Sequence, residues 1–138
     1  MRTVPQILKE SKTIAVVGMS NKPERASYGV AHYLQQHGYR VLPVNPSYAG
    51  QEILGEQVHA SLQDAAAAAG GAIDVVDCFR DPEHMLQVGR DAVAVRAGAL
   101  WMQLGVVNRE AADLAAAAGL DVVMDRCMKI EHAAAGPS

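Results

Sequence analysis

The chain has 138 residues, enough for one domain around one core; half of them are hydrophobic and only 4% aromatic. A net charge of -3 with no long basic run argues against nucleic acid as a partner, since phosphate neutralisation needs clustered Lys and Arg. Cys78 and Cys127 are too few for a disulfide scaffold, and no leader pattern or membrane-length apolar run is present, so a cytoplasmic protein without membrane contact is expected.

Strand-like and helix-like segments alternate along the chain. Thr13–Val17 is a continuous apolar run ending at Gly18 and reads as the first strand. Ser27 is placed to cap a helix over Tyr28–His37, which Gly38 ends. Tyr39–Val44 is the second strand, stopped by Asn45-Pro46. Residues 47–60 read as irregular. Leu62–Ala69 is an alanine-rich helix closed by Gly70 and Gly71, and Ile73–Phe79 is a third strand. Pro82 opens a helix with its body over Glu83–Ala97, and Ala99–Leu104 is the fourth strand. Asn108 caps a helix with a stripe of Ala111, Leu114, Ala115 and Ala118, ended by Gly119. Asp121–Met124 is the fifth strand. One domain over residues 1–132 and a disordered tail over 133–138 are expected.

Five apolar runs separated by helices predict parallel strands buried on both faces, a three-layer α/β architecture with a mainly parallel, doubly wound sheet of five to six strands. Such sheets bind ligands beyond the carboxyl ends of their strands. Five loops therefore carry the functional reading. In the first, Gly18 lets the backbone turn closely, Ser20, Ser27 and free helix N–H groups are suited to phosphate oxygens, and Lys22 and Arg25 add charge. The alternative is a solvated loop with a helix cap. In the second, Val44-Asn45-Pro46 holds Asn45 where a dinucleotide domain usually has an acidic residue for the ribose, which argues against ordinary NAD recognition. The prolines form an apolar wall for a base, or simply end a strand.

In the third loop Phe79 can pack on a base or an aliphatic arm and Arg80 can meet a phosphate; a core-edge Phe and a surface Arg are the alternative. In the fourth, Trp101, Gln103 and Gly105 share one side, and a buried Trp101 needs a partner for its indole N–H. Cys127 in the fifth loop lies between Arg126 and Lys129, cations that favour a thiolate, against the reading of an inert buried thiol. No metal-ligand spacing, Walker loop or nucleophile elbow is present, and no base, nucleophile and oxyanion set can be assembled. The sequence supports binding better than catalysis.

At these loops the chain resembles a family of small single-domain CoA-binding proteins, Rossmann-like and related to the CoA-binding domain of the succinyl-CoA synthetase alpha subunit. The residues that carry the resemblance are Val16-Val-Gly-Met-Ser20, Pro23, Arg25, Ser27-Tyr28, Tyr33-Leu34, Gly38-Tyr39, Val41, Pro43-Val-Asn-Pro46, Leu54-Gly55, Asp74-Val-Val76, Phe79-Arg80, Trp101-Met-Gln-Leu-Gly105 and Asp125-Arg-Cys127. The resemblance implies that coenzyme A or an acyl-CoA lies across the strand ends. Gly18, Met19, Ser20 and Arg25 would then line the phosphate side. Val44, Asn45 and Pro46 would flank the adenosine part, and Phe79, Arg80, Trp101 and Gln103 the remaining groove. The chain departs from the family pattern at Met128, where Pro is common, and at His59-Ala60, where an aromatic-Pro pair is typical. The synthetases' catalytic histidine belongs to a further domain, so a complete ligase is not expected.

The leading expectation is a stand-alone, non-catalytic or regulatory CoA-binding module, with a protein partner or a second copy as further possibilities. The rivals are an NADP-linked oxidoreductase, using Arg25 or Arg40 on the 2′-phosphate, and a thiol enzyme using Cys127.

Overall fold

A computed structural model describes residues 1–136. Five strands form one sheet: β1 (Thr13–Val17), β2 (Arg40–Val44), β5 (Val75–Cys78), β6 (Ala99–Met102) and β7 (Asp121–Val123). They lie in the order β2-β1-β5-β6-β7, and every pairing is parallel. β1, β5 and β6 are almost wholly buried, which explains their continuous apolar runs. Helices cover both faces. On one side α3 (Leu62–Ala68), α4 (Met85–Ala94) and α5 (Arg109–Ala117) bury Leu62, Ala65, Met85, Ala92, Ala111 and Ala115 against Ala15, Val76 and Leu100. On the other, α1 (Val4–Glu10), α2 (Ala26–Gln36) and α6 (Met128–Ala135) bury Ile7, Val30, Leu34 and Met128 against Ile14, Val16, Val75 and Trp101. This is the three-layer Rossmann-like α/β fold expected. Its strand order reverses between β1 and β5, which opens the crevice where such folds place ligands.

Several boundaries differ from the sequence reading. α2 starts at Ala26 with Arg25 as its N-cap, so Ser27 lies inside the helix. Pro82–His84 is a 3-10 turn leading into α4, which ends at Ala94. Residues 47–60 are more ordered than expected. Pro46–Tyr48 is a 3-10 turn, and β3 (Glu52–Ile53) pairs antiparallel with β4 (Glu56–Gln57). Two helices escaped the reading. α1 begins with a capping box between Thr3 and Gln6, with Pro5 in its first turn. α6 begins after Cys127 and extends to Ala135, so Ala133–Ala135 of the expected tail are helical. Pro137 and Ser138 lie outside the described residues. Among those residues, no helix is long and apolar enough to cross a membrane.

The family departures leave the backbone intact. Met128 occupies the first helical position of α6, the place where Pro is well tolerated, and is fully buried. His59 continues the sheet locally: its N–H donates to the Pro43 carbonyl and its carbonyl accepts from Asn45 N–H. Pro43 is accommodated because β2 is an edge strand, and an edge residue can forgo one ladder donor.

Candidate functional site

Three cavities meet at the carboxyl ends of the strands. The first, about 300 Å³, is walled by Val44, Asn45, Pro46 and Ser61 on one side and Arg80, His84 and Gln87 on the other. The second, about 360 Å³, is lined by Ser20, Lys22, Arg25, Ser27 and Tyr48. The third, about 330 Å³, lies over Val30, Gln103, Val106 and Cys127. Gly18 and Asn45 border the first two, Ala26 and Phe79 the second and third, and Arg80 the first and third. Together they form one groove across the sheet's crevice.

Gly18 holds the crevice together. Its φ is +85°, and a Cβ there would stand 2.8 Å from the Phe79 carbonyl oxygen. Its N–H donates to the Val44 carbonyl at 2.9 Å, while Phe79 N–H donates to the Val17 carbonyl. The glycine therefore serves close approach of β1, β2 and β5, and its N–H is already engaged. Asn45 has a matching role. Its Nδ2 donates to the Met19 carbonyl and its Oδ1 accepts from Ser47 N–H, each at 2.9 Å. That amide clamps the first loop to the second.

The first loop folds onto itself. Ser20 N–H donates to Ser27 Oγ at 2.9 Å, and Lys22 N–H donates to Ser20 Oγ at 3.1 Å. Ser27 is consequently buried, its hydroxyl used within the loop. The N-terminus of α2 has no side-chain cap and opens at the second cavity, where Ala26 and Ser27 form part of the wall. Lys22 and Arg25 are exposed beside it, and among the described residues neither forms an ion pair. Unsatisfied helix N–H groups, the positive end of the helix dipole and two cations unpaired among the described residues suit this corner to an anion.

Met19 and Trp101 depart from the expected site. Both side chains are fully buried in the α1/α2/α6 core and line none of the three cavities. Met19 is consumed by core packing, and its carbonyl serves Asn45. Trp101 points inward by strand alternation, and its indole N–H finds the partner it needs in the Arg126 carbonyl at 2.8 Å. Gly18, Ser20, Lys22, Arg25, Ser27, Val44, Asn45, Pro46, Phe79, Arg80 and Gln103 do border the groove. The cations near Cys127 turn elsewhere: Arg126 pairs with Glu131 at 2.7 Å, and Lys129 lies over the Tyr33 ring. Arg40 begins β2, at the opposite end of the sheet from the groove, and pairs with Glu56.

Asp77 was not anticipated. It sits in β5, wholly buried, and its Oδ1 accepts from Gln103 Nε2 at 2.7 Å while Oδ2 has no partner. Burial pushes its carboxyl up to about 7, against the opposing pull of the Gln103 hydrogen bond. The signal was present in the sequence: of the two carboxylates in Ile73–Phe79, Asp74 stands at the strand's start while Asp77 lies between Val76 and Cys78, inside the apolar run. Tyr48, Ser61, His84 and Gln87 were also missed, since their places depend on how loops and helices meet.

A groove with a corner suited to an anion at a doubly wound crevice is shared by many nucleotide-binding proteins, and comparison narrows the choice. Residues 12–133 match the family described as CoA binding domain. The chain belongs to the CoA-binding domain family. Bacillus subtilis YneT is 38% identical to this CoA-binding domain over 130 residues, covering 94% of this chain and 92% of YneT. The solved structure of the Thermus thermophilus protein designated cell-free ID.343 is 38% identical, with a TM-score of 0.88 and 94% of each chain covered. A hypothetical protein from Pyrococcus horikoshii is 40% identical, with a TM-score of 0.87 over 95% of this chain and 88% of that one.

Proposed function

We propose that this chain binds coenzyme A in the groove across its strand ends, as a stand-alone module without chemistry of its own. The observation that carries the reading is this corner: an uncapped helix N-terminus flanked by Lys22 and Arg25, which form no ion pair among the described residues, beside the non-acidic Asn45. Coenzyme A brings a pyrophosphate and a 3′-phosphate, which suit two extra cations and need no carboxylate at the ribose. Family membership supports the same ligand. On this reading the phosphates lie over Ser20, Lys22 and Arg25. The base rests between Asn45, Pro46 and the α3–α4 side, and the pantetheine arm runs past Phe79 and Arg80 toward Gln103.

Calorimetric titration with CoA tests this. Heat of binding is expected with CoA, and replacement of both Lys22 and Arg25 by Ala is expected to weaken it at least tenfold, roughly 1.4 kcal/mol. The single variants Lys22→Ala and Arg25→Ala, each titrated with CoA and dephospho-CoA, assign the two cations: the variant that no longer distinguishes the ligands has lost the 3′-phosphate contact. No heat at millimolar CoA sinks the proposal. NADPH binding with CoA silent would favour the oxidoreductase reading instead, although Arg40 lies away from the groove and is engaged by Glu56.

A further inference from the structure

We propose that Asp77 is a positioning residue of the groove: it holds the Gln103 side-chain amide so that the amide oxygen accepts a hydrogen bond from an amide N–H on the arm of the bound nucleotide. The inference rests on the CoA reading above and concerns its far end.

A carboxylate in the middle of a fully buried strand is costly, and one oxygen left without a partner makes it more so. Such a group is retained against stability when it does something else. The hydrogen bond at 2.7 Å shows what it holds. Gln Nε2 only donates, and Asp77 Oδ1 accepts whether the other oxygen carries a proton or not, so this contact sets which way the amide faces. With Nε2 turned to Asp77, Oε1 is left as the end available to the groove. The Gln103 backbone is pinned as well: its N–H donates to the Cys78 carbonyl, and its carbonyl accepts from Val106 N–H. Gln103 therefore offers a fixed acceptor to a cavity whose other walls include Ala26, Val30, Phe79 and Val106.

An acceptor with no partner among the described residues, in a cavity lined mainly by apolar side chains with Arg80 and Asp81 at its border, favours a ligand that brings a donor. The pantetheine arm is an aliphatic chain interrupted by two amides. Its methylenes suit the apolar walls, and an amide N–H suits Gln103 Oε1. A thiol is a weak donor and fits the position less well.

The test compares CoA with 3′-phospho-ADP, which carries the phosphates and adenosine but lacks the arm. Calorimetry is run on the wild type and on Gln103→Met, Asp77→Leu and Asp77→Asn. Gln103→Met and Asp77→Leu are expected to lose about tenfold in CoA affinity, the scale of one lost hydrogen bond, while Asp77→Asn, which keeps an oxygen for Gln103 Nε2, stays within about twofold. None of the variants changes affinity for 3′-phospho-ADP. Asp77→Leu is expected to bind CoA less well without losing thermal stability, a combination that a purely structural role does not give. Unchanged CoA affinity in Gln103→Met overturns the proposal, as does an equal loss for both ligands. Gln103→Met reports on the proposal even if Asp77→Leu does not fold. A wild type that binds 3′-phospho-ADP but gains nothing from the arm overturns this inference alone. A wild type that binds neither ligand overturns the CoA reading with it.

Discussion

Asn45 ties the first loop to the second with one amide, donating to the Met19 carbonyl and accepting from Ser47 N–H. An Asp there keeps the acceptor, loses the donor and sets a negative charge against a carbonyl oxygen. Asn45→Asp is expected to cost about 1–2 kcal/mol of stability and to weaken CoA binding, because the first loop is no longer held. Thermal denaturation with and without CoA measures both, and an unchanged melting temperature would remove the clamp. Gly18→Ala is expected to be worse. The left-handed backbone costs an L-residue about 1–2 kcal/mol, and the clash with the Phe79 carbonyl adds to it. These two residues were legible in the sequence as important and partly misread in role. Their absent carboxylate and absent Cβ were visible; that Gly18 serves close approach to Phe79 and Asn45 a clamp onto Met19 was not, since Phe79 and Met19 are distant from them in sequence.

At the scale of elements, legibility followed length and burial. β1, β5 and β6 were readable because both faces of the sheet are covered, so their residues run apolar without interruption. β3 and β4, of two residues each, are too short for any alternation to show. α1 has only seven residues, and its capping box, Thr3 with Gln6, was its one signal. That helix leads into the amino end of β1, so it lies at the end of the sheet away from the groove. Covering the amino end of the sheet and lining the groove thus fall to different elements. Thr3→Ala is expected to cost about 1 kcal/mol by removing the cap, while CoA affinity is unchanged. Urea denaturation and calorimetry on the same variant check the two halves of that statement, and a parallel loss of affinity would show the ends of the sheet to be coupled.

At the scale of the whole molecule, the covered sheet that makes a Rossmann-like fold legible also decides how its stability responds to pH. With helices on both faces, β5 has no route to water, and burial raises the Asp77 carboxyl from 3.8 to about 7. A carboxyl whose folded value is raised binds its proton more tightly in the native state than in the unfolded one. Its favourable contribution is complete below the unfolded value and is withdrawn as pH climbs to the folded one. Between pH 4 and 7 Asp77 is therefore expected to remove stability at about 1.4 kcal/mol per pH unit, with no further loss above that range. Other groups titrate in the same interval, so the comparison is with Asp77→Asn, which shares them all. The stability of the variant minus that of the wild type is expected to rise from pH 4 to pH 7 and then level off, as read from urea denaturation at each pH. A difference that stays constant across the interval would mean that Asp77 is ionised throughout, and that water or a cation reaches the middle of the sheet.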